Sequence, residues 1–394
     1  MKELNMSISL PSRNNLSYLK WCYNSIRKNL GYRYEILLAD DFSDDGTWEW
    51  MEKIKTTDIN VKIFRNEGPE RKGIVYWYDY LCEQATNDIV FFLHADMYVC
   101  PDLDTEIFKY IEPGIVVSAT RIEPPLHPGG PEKIVLDCGI EPDEFDENKL
   151  IEYINTTDRN KKTTEGVFAP WAIYKKDYWS VGGHDKLFAP QSKEDSDIFN
   201  RLQLNGVKFL QTWQGFVYHM TSRGSRFNPA SGGAPGKDSP EWIETTTKNM
   251  RNFIRKWGHM VKHDAMMKPV IPPKYDIGFV VKNCDYNHIK ELEPWCSTLY
   301  SEYTGVISSY ILHEQPNTII DLSEKLKHEY HSEFTNDIIV HFDAKKLTNE
   351  NFQVIINLPD ILKQSGETGQ MELDIFKFDI KKLTTYEKDL ILAK

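Results

Sequence analysis

Along the first hundred positions, short apolar runs alternate with mixed stretches whose apolar residues recur at helical spacing. Ser7 to Leu10, Glu35 to Ala39, Val61 to Arg65 and Ile89 to Leu93 read as strands, the last an unbroken apolar run suited to burial on both faces. Between them, Leu16 to Asn29, Trp48 to Lys55 and a stretch ending near Ala85 have the pattern of helices, and Gly31 stops the first. Strands alternating with helices through short links predict a mostly parallel sheet flanked by helices, a nucleotide-binding α/β half.

Beyond Asp102 the pattern loosens. Ile115 to Ala119, Val207 to Gln211 and Phe216 to His219 read as strands, Ser192 to Leu204 and Thr245 to Trp257 as helices, and Gly182-Gly183 as a tight turn. The polar, largely acidic stretch 141–162 predicts exposure, and the Gly/Ser/Pro-rich stretch from Ser222 to Pro240 a mobile loop. A proline-rich link, 266–275, separates a first domain, 1–265, from a smaller α/β or α+β domain, 276–394. In the latter, Ile277–Val281, Val306–Ile311, Ile338–Phe342, Phe352–Leu358 and Leu373–Phe378 read as strands, and Ile289–Tyr300 and Thr318–His331 as helices. No catalytic constellation stands out there.

Composition narrows the partners more than the fold. A formal net charge of −12 argues against nucleic acid or an anionic membrane as the main partner. The six cysteines are scattered without a CxxC pair, which fits reduced thiols in a cytoplasmic setting. No apolar signal core opens the chain, and no run reaches the ~18 apolar residues that suggest a spanning helix. The expectation is a soluble protein.

Candidate chemistry gathers where strands end. His94 and Asp96 follow the fourth strand two residues apart, so in extended backbone an imidazole and a carboxylate would leave the same face. Together they suit Mn²⁺ or Mg²⁺ bridging two phosphates, and His219 is a candidate third ligand; equally, they could merely open a solvated loop. The loop Asp40-Asp41-Phe-Ser-Asp-Asp-Gly-Thr47 offers a carboxylate to a uracil N–H or ribose hydroxyls, although a polar loop with an Asp cap has the same composition. Glu194, Asp195 and Asp197 lie in the first turn of a helix. Acids gain from the helix dipole there, and one of them could deprotonate an acceptor hydroxyl. Arg223 and Arg226, with Arg71 and Lys72 elsewhere, are candidates for a diphosphate. Trp171 and Trp213 could stack on a sugar or serve the core.

In order, these pieces resemble the family 2 glycosyltransferases of the GT-A fold, over about residues 6–260. The loop at Asp40-Asp41 is similar to the family's "DDGSxDGT" signature, and Phe91-Phe-Leu-His-Ala-Asp96 to the strand that delivers its "DxD" motif. Gly182-Gly183-His-Asp185 with Glu194-Asp195-Ser-Asp197, Arg201 and Gly206 resembles its "GGFDE…EDxDLxxRLxxxG" block. The resemblance implies an inverting transferase moving a sugar from a nucleotide-sugar, most simply a UDP-sugar, to a glycan or other hydroxyl acceptor, with a divalent metal. It implies nucleotide contacts at Pro11, Ser12, Arg13, Asp41, Ala95 and Asp96, and a metal site at Asp96 and His219 with His94. It also implies Asp195 as base beside Glu194, and sugar or acceptor contacts at Gly183 and Asp197. Two departures stand out: His94 replaces the first acid of "DxD", and Trp77-Tyr78-Asp79 replaces the family's "ARN". The rival readings are a catalytically silent binding module on the same fold and a sugar nucleotidyltransferase. The second lacks its glycine-rich loop, because Pro11-Ser-Arg-Asn-Asn15 occupies that place.

Overall fold

A computed structural model describes residues 5–156 and 162–393, so five positions of the acidic stretch 141–162, namely 157–161, lie outside the described residues. The chain divides into two compact units, the first comprising Met1–Thr246, His263–Val270 and Ala393–Lys394, the second Thr247–Lys262 and Ile271–Leu392. The helix expected to close the first domain therefore contributes its residues from Thr247 onward to the second unit.

The first unit runs β1 (Met6–Ser12), α1 (Leu16–Asn29), β2 (Glu35–Asp40), α2 (Thr47–Thr57), β3 (Val61–Arg65), α3 (Gly73–Gln84) and β4 (Ile89–Phe92). The next elements are β5 (Met97–Val99), α4 (Leu103–Phe108), β6 (Ile115–Glu123), β7 (Ile134–Val135), α5 (Glu147–Thr156), β8 (Thr163–Thr164) and β9 (Trp171–Tyr174). Last are α6 (Lys175–Trp179), α7 (Glu194–Leu204), β10 (Lys208–His219) and α8 (Pro240–Trp257). Sheet order is β3-β2-β1-β4-β9-β6-β10-β5, with β7 and β8 added at β6 and β10. The first four strands pair in parallel, as the alternating pattern predicts. Strand β9 runs antiparallel between β4 and β6, and β10 lies parallel to β6 and antiparallel to β5. This is the mostly parallel sheet flanked by helices that the sequence predicts.

Burial explains why the short runs were legible. Every residue of β4 is buried, and in β2 only Glu35 is not, so these strands need no alternation. The two strands expected at 207–211 and 216–219 are one strand, β10, whose register against β6 shifts between Thr212 and Phe216.

The second unit contains β11 (Ile277–Lys282), α9 (Tyr286–Leu292), β12 (Thr298–Ser301), α10 (Thr304–Glu314), α11 (Leu322–Lys325) and β13 (Leu326–His328). It continues with β14 (Ile338–Asp343), α12 (Phe352–Ile356), α13 (Leu358–Ser365), β15 (Gly369–Leu373) and β16 (Phe376–Ile380). Its sheet order is β13-β12-β11-β14-β16-β15. Several expectations are corrected here. Val306–Ile311 belongs to helix α10, where Ile307 and Tyr310, three residues apart, share the buried face. Phe352–Leu358 spans α12 and the start of α13. The helix expected over Ile289–Tyr300 ends at Leu292 before strand β12, and that over Thr318–His331 shrinks to α11 followed by β13. Leu373–Phe378 holds a hairpin turn, with Asp374 at φ 52°. Apolar runs of four to eight residues fit either period, and packing against the sheet decided between them.

Candidate active site

Strand order places the chemistry. β10 lies between β6 and β5, so its last residue, His219, has Glu123 at the end of β6 on one side and Asp96, just before β5, on the other. His219 Nδ1 lies 2.9 Å from Glu123 Oε1, and its Nε2 lies 3.6 Å from Asp96 Oδ1. His94 completes the group: one ligand atom from each of His94, Asp96 and His219 falls within 4.8 Å of the others. The route differs from the expected one. β4 ends at Phe92, and His94 to Met97 form a turn closed by a 3.2 Å bond from Met97 N to His94 O, so a turn rather than strand alternation brings the two side chains together.

Electrostatics follow from this arrangement. Burial would raise the Asp96 carboxyl, but the charge and hydrogen bond of His219, His94 and the amide of Arg223 outweigh it and bring it down to about 2. Burial would lower His219, yet Asp96 and Glu123 on either side raise it to about 9. His94 is lowered, burial prevailing over the nearby acids. Two imidazole nitrogens and one carboxylate oxygen at this spacing are a donor set that a first-row divalent ion accepts. Mg²⁺, which prefers oxygen throughout, fits less well.

A cavity of about 270 Å³ opens beside this cluster. Pro11, Ser12, Arg13, Asp41, Arg71, Tyr78, Ala95, Gln191, Glu194, Asp195, Arg226 and Trp242 line it together with His94, Asp96 and His219. Asp41 is buried and accepts the amides of Lys72 and Gly73 and the Asn66 side chain at 2.8–3.0 Å. A carboxylate accepts about four bonds, so one place is left for an incoming donor. Glu194 and Asp195 open α7 after two left-handed residues, Ser192 and Lys193. Glu194 is buried, and its Oε2 has no hydrogen-bond partner among the described residues. Burial first, then the neighbouring Asp195, raises its carboxyl to about 8, which favours its protonated form. Asp195 is the more exposed of the two.

The glycosyl transferase family 2 model matches residues 7–179. That segment belongs to the family. Among solved structures, the chain is similar to GalNAc-T7 with UDP, GalNAc and Mn²⁺ (18% identity over 65% of this chain and 48% of that one, TM-score 0.47). It is also similar to S. aureus TarS 1-349 (16% identity, 55% and 60% covered, TM-score 0.40). A third is the mannosyltransferase PcManGT from Pyrobaculum calidifontis in complex with GDP-Man and Mn²⁺ (15% identity, 57% and 59% covered, TM-score 0.41). The chain thus spans between about half and three-fifths of the length of these solved chains.

The family 2 segment supplies Asp41, His94 and Asp96; Glu194, Asp195 and His219 join it from beyond residue 179. Several expected contacts lie elsewhere. Trp171 is fully buried, its ring 4.4 Å from that of Phe92 and 5.3 Å from that of Phe199, and is core rather than a sugar platform. Asp197, also fully buried, pairs with Arg201 at 2.7 Å. Arg201 donates in turn to the carbonyls of Val181 and Gly183, so Asp197 and Gly183 set the turn before α7 and do not line the cavity. Arg223 turns its guanidinium toward Ile140 O and Glu141, and only its amide serves the site, donating to Asp96 Oδ2 at 2.8 Å. The Lys72 ammonium stands over the Tyr76 ring, and its amide alone reaches Asp41. Trp213 donates to Thr164 Oγ1 and is likewise outside the cavity lining. Sequence reasoning missed Glu123, Gln191 and Glu241. Glu241 holds Arg13 and Arg71, and Gln191 accepts from Arg71. No local pattern marks these residues, because their partners are far along the chain.

Among the described residues no helix is long and apolar enough to cross a membrane, and all six cysteines are buried free thiols.

Proposed function

We propose that the chain is an inverting glycosyltransferase that moves a sugar from a nucleotide-sugar, most simply a UDP-sugar, to an acceptor hydroxyl such as that of a glycan. The observation that carries this is one cavity lined jointly by Asp41, the His94–Asp96–His219 cluster and the Glu194–Asp195 pair, from separate stretches of chain. The family 2 segment supports the same reaction class.

In this reading Asp41 accepts from the base, with Pro11, Ser12 and Arg13 beside it in the lining. Asp96, His219 and His94 hold a divalent metal, Mn²⁺ in preference to Mg²⁺, which when bound offsets the charge gathering on the leaving diphosphate. Asp195 takes the acceptor proton as the acceptor oxygen bonds to the anomeric carbon. The bond from that carbon to the diphosphate oxygen breaks on the opposite side, and its electron pair leaves with the diphosphate. Glu194, whose carboxyl is raised by burial and by Asp195, can in its protonated form donate a hydrogen bond to donor or acceptor without adding a second charge beside Asp195. Arg226 and Arg71 stand in the same lining, their guanidinium groups held by Asp238 and by Glu241 and Gln191.

Turnover of a panel of UDP- and GDP-sugars with Mn²⁺ tests the reading directly, with Asp195→Asn as the control. The variant is expected to lose transfer by about 10²–10⁴-fold, the usual worth of a general base, while UDP binding stays near wild type. A variant that transferred normally would remove Asp195 from the mechanism.

A further inference from the structure

The strongest unused feature is Glu123, which neither lines the cavity nor belongs to the expected ligand set, yet is buried against one of that set, His219. Its Oε1 accepts from Arg121 at 2.8 Å and faces His219 Nδ1 at 2.9 Å, while Oε2 accepts from Lys133 at 2.7 Å. Three donors from two strands and a loop leave this carboxylate one orientation. Arg121 is itself seated on the Phe168 ring, 3.9 Å from its centroid, so the anchor is rigid as well as charged. An ordinary structural ion pair would be satisfied by Arg121 and Lys133 alone. The third contact is aimed at the one imidazole that closes the His94–Asp96–His219 group.

We infer that Glu123 is a positioning residue. It keeps a proton on His219 Nδ1, so that when a divalent ion displaces the second ring proton the Nε2 lone pair is the one that faces the ion beside Asp96. An imidazole has one donor and one acceptor nitrogen when neutral, and the partner of one nitrogen decides what the other can do. Register enforces the arrangement: Ile122 pairs with Tyr218, so the following residues, Glu123 and His219, end adjacent parallel strands. Met97 pairs with His219 on the other flank, which brings Asp96 to the opposite ring nitrogen. The inference rests on the proposed metal-dependent transferase but makes a claim of its own, that metal affinity depends on a residue that never meets the metal.

Calorimetric titration of the full-length chain with Mn²⁺, for wild type and Glu123→Gln, tests it. The variant is expected to bind Mn²⁺ about 10- to 100-fold more weakly, the range for carboxylates that orient a metal-bound histidine. A folded Glu123→Gln protein that bound Mn²⁺ as tightly as wild type would overturn the assignment and leave the transferase reading intact. A wild-type protein that bound no Mn²⁺ would overturn both. Imidazole ¹⁵N spectra of the wild-type protein with Mg²⁺ need no variant to fold. A ring that keeps its Nδ1 proton as the ion is added supports the inference, and a ring protonated on Nε2 alone overturns it.

Discussion

The two units begin with the same arrangement: four parallel strands in the order third, second, first, fourth, β3-β2-β1-β4 in one and β13-β12-β11-β14 in the other. They differ in what happens to charge. Glu194 in the first unit and Glu293 in the second are both buried glutamates. Burial and Asp195 raise Glu194, which keeps an unpartnered oxygen and lines a cavity. Burial would also raise Glu293, but Lys325 and Arg255, at 2.8 and 2.7 Å, hold it well below the usual carboxylate range, and Tyr310 donates to it as well. At the strand ends the contrast repeats. Asn283 donates to Asp343, and Glu302 accepts the Asn283 amide, so those polar groups are closed on one another, whereas the His94–Asp96–His219 group is open to a ligand. A shared strand order therefore says little about function; uncompensated charge beside a cavity says more.

This contrast can be broken experimentally. The largest effect is expected from Glu293→Gln, which takes from buried Lys325 its ion-pair partner and leaves buried Arg255 only Glu314, and should destabilise the second unit by about 3–5 kcal/mol, read by denaturant unfolding. The pH dependence has a definite sign. A carboxyl depressed on folding contributes fully above its unfolded value, about 4.3, and loses that contribution as pH falls below it. Wild-type stability of the second unit should thus drop below about pH 4.3, and that of Glu293→Gln should drop less; parallel curves would show Glu293 to be uncoupled from folding.

Glu194→Gln should act in the opposite direction. Because its carboxyl is raised on folding, the fold is penalised increasingly as pH rises from about 4.3 toward 8. The amide should therefore stabilise by about 1–3 kcal/mol at pH 8, and should blunt any loss of transfer above that pH. A destabilised variant would mean that Glu194 has a partner in its ionised form. Smallest is Asn283→Ala, expected to cost about 0.5–1.5 kcal/mol and to leave sugar transfer unchanged. A large loss of transfer would assign the second unit a part in the reaction.

Legibility followed the same divide. In the first unit, fully buried strands and turn residues such as Gly46, at φ 85° before α2, are encoded locally, and Asp41, His94 and Asp96 follow directly from where the strands stop. In the second, runs such as Val306–Ile311 suit a strand as well as a helix. The expected site residues that do not line the cavity share one feature. Trp171, Gly183, Asp197 and Arg223 all lie near the right place in the chain, but a side chain's direction depends on neighbours such as Phe92, Arg201 and Ile140 that no local pattern names.

What the chain determined by itself was the alternation of buried strands and helices in its first hundred residues, and with it the loops that carry acids and imidazoles, because hydrophobic period and turn chemistry act over a few residues. Only the tertiary structure decided that β10 would insert between β6 and β5. That pairing sets Glu123 and Asp96 on opposite sides of His219 and makes three distant side chains one site. Strand partners far apart in sequence are chosen by packing of the whole sheet, and no local spacing records that choice.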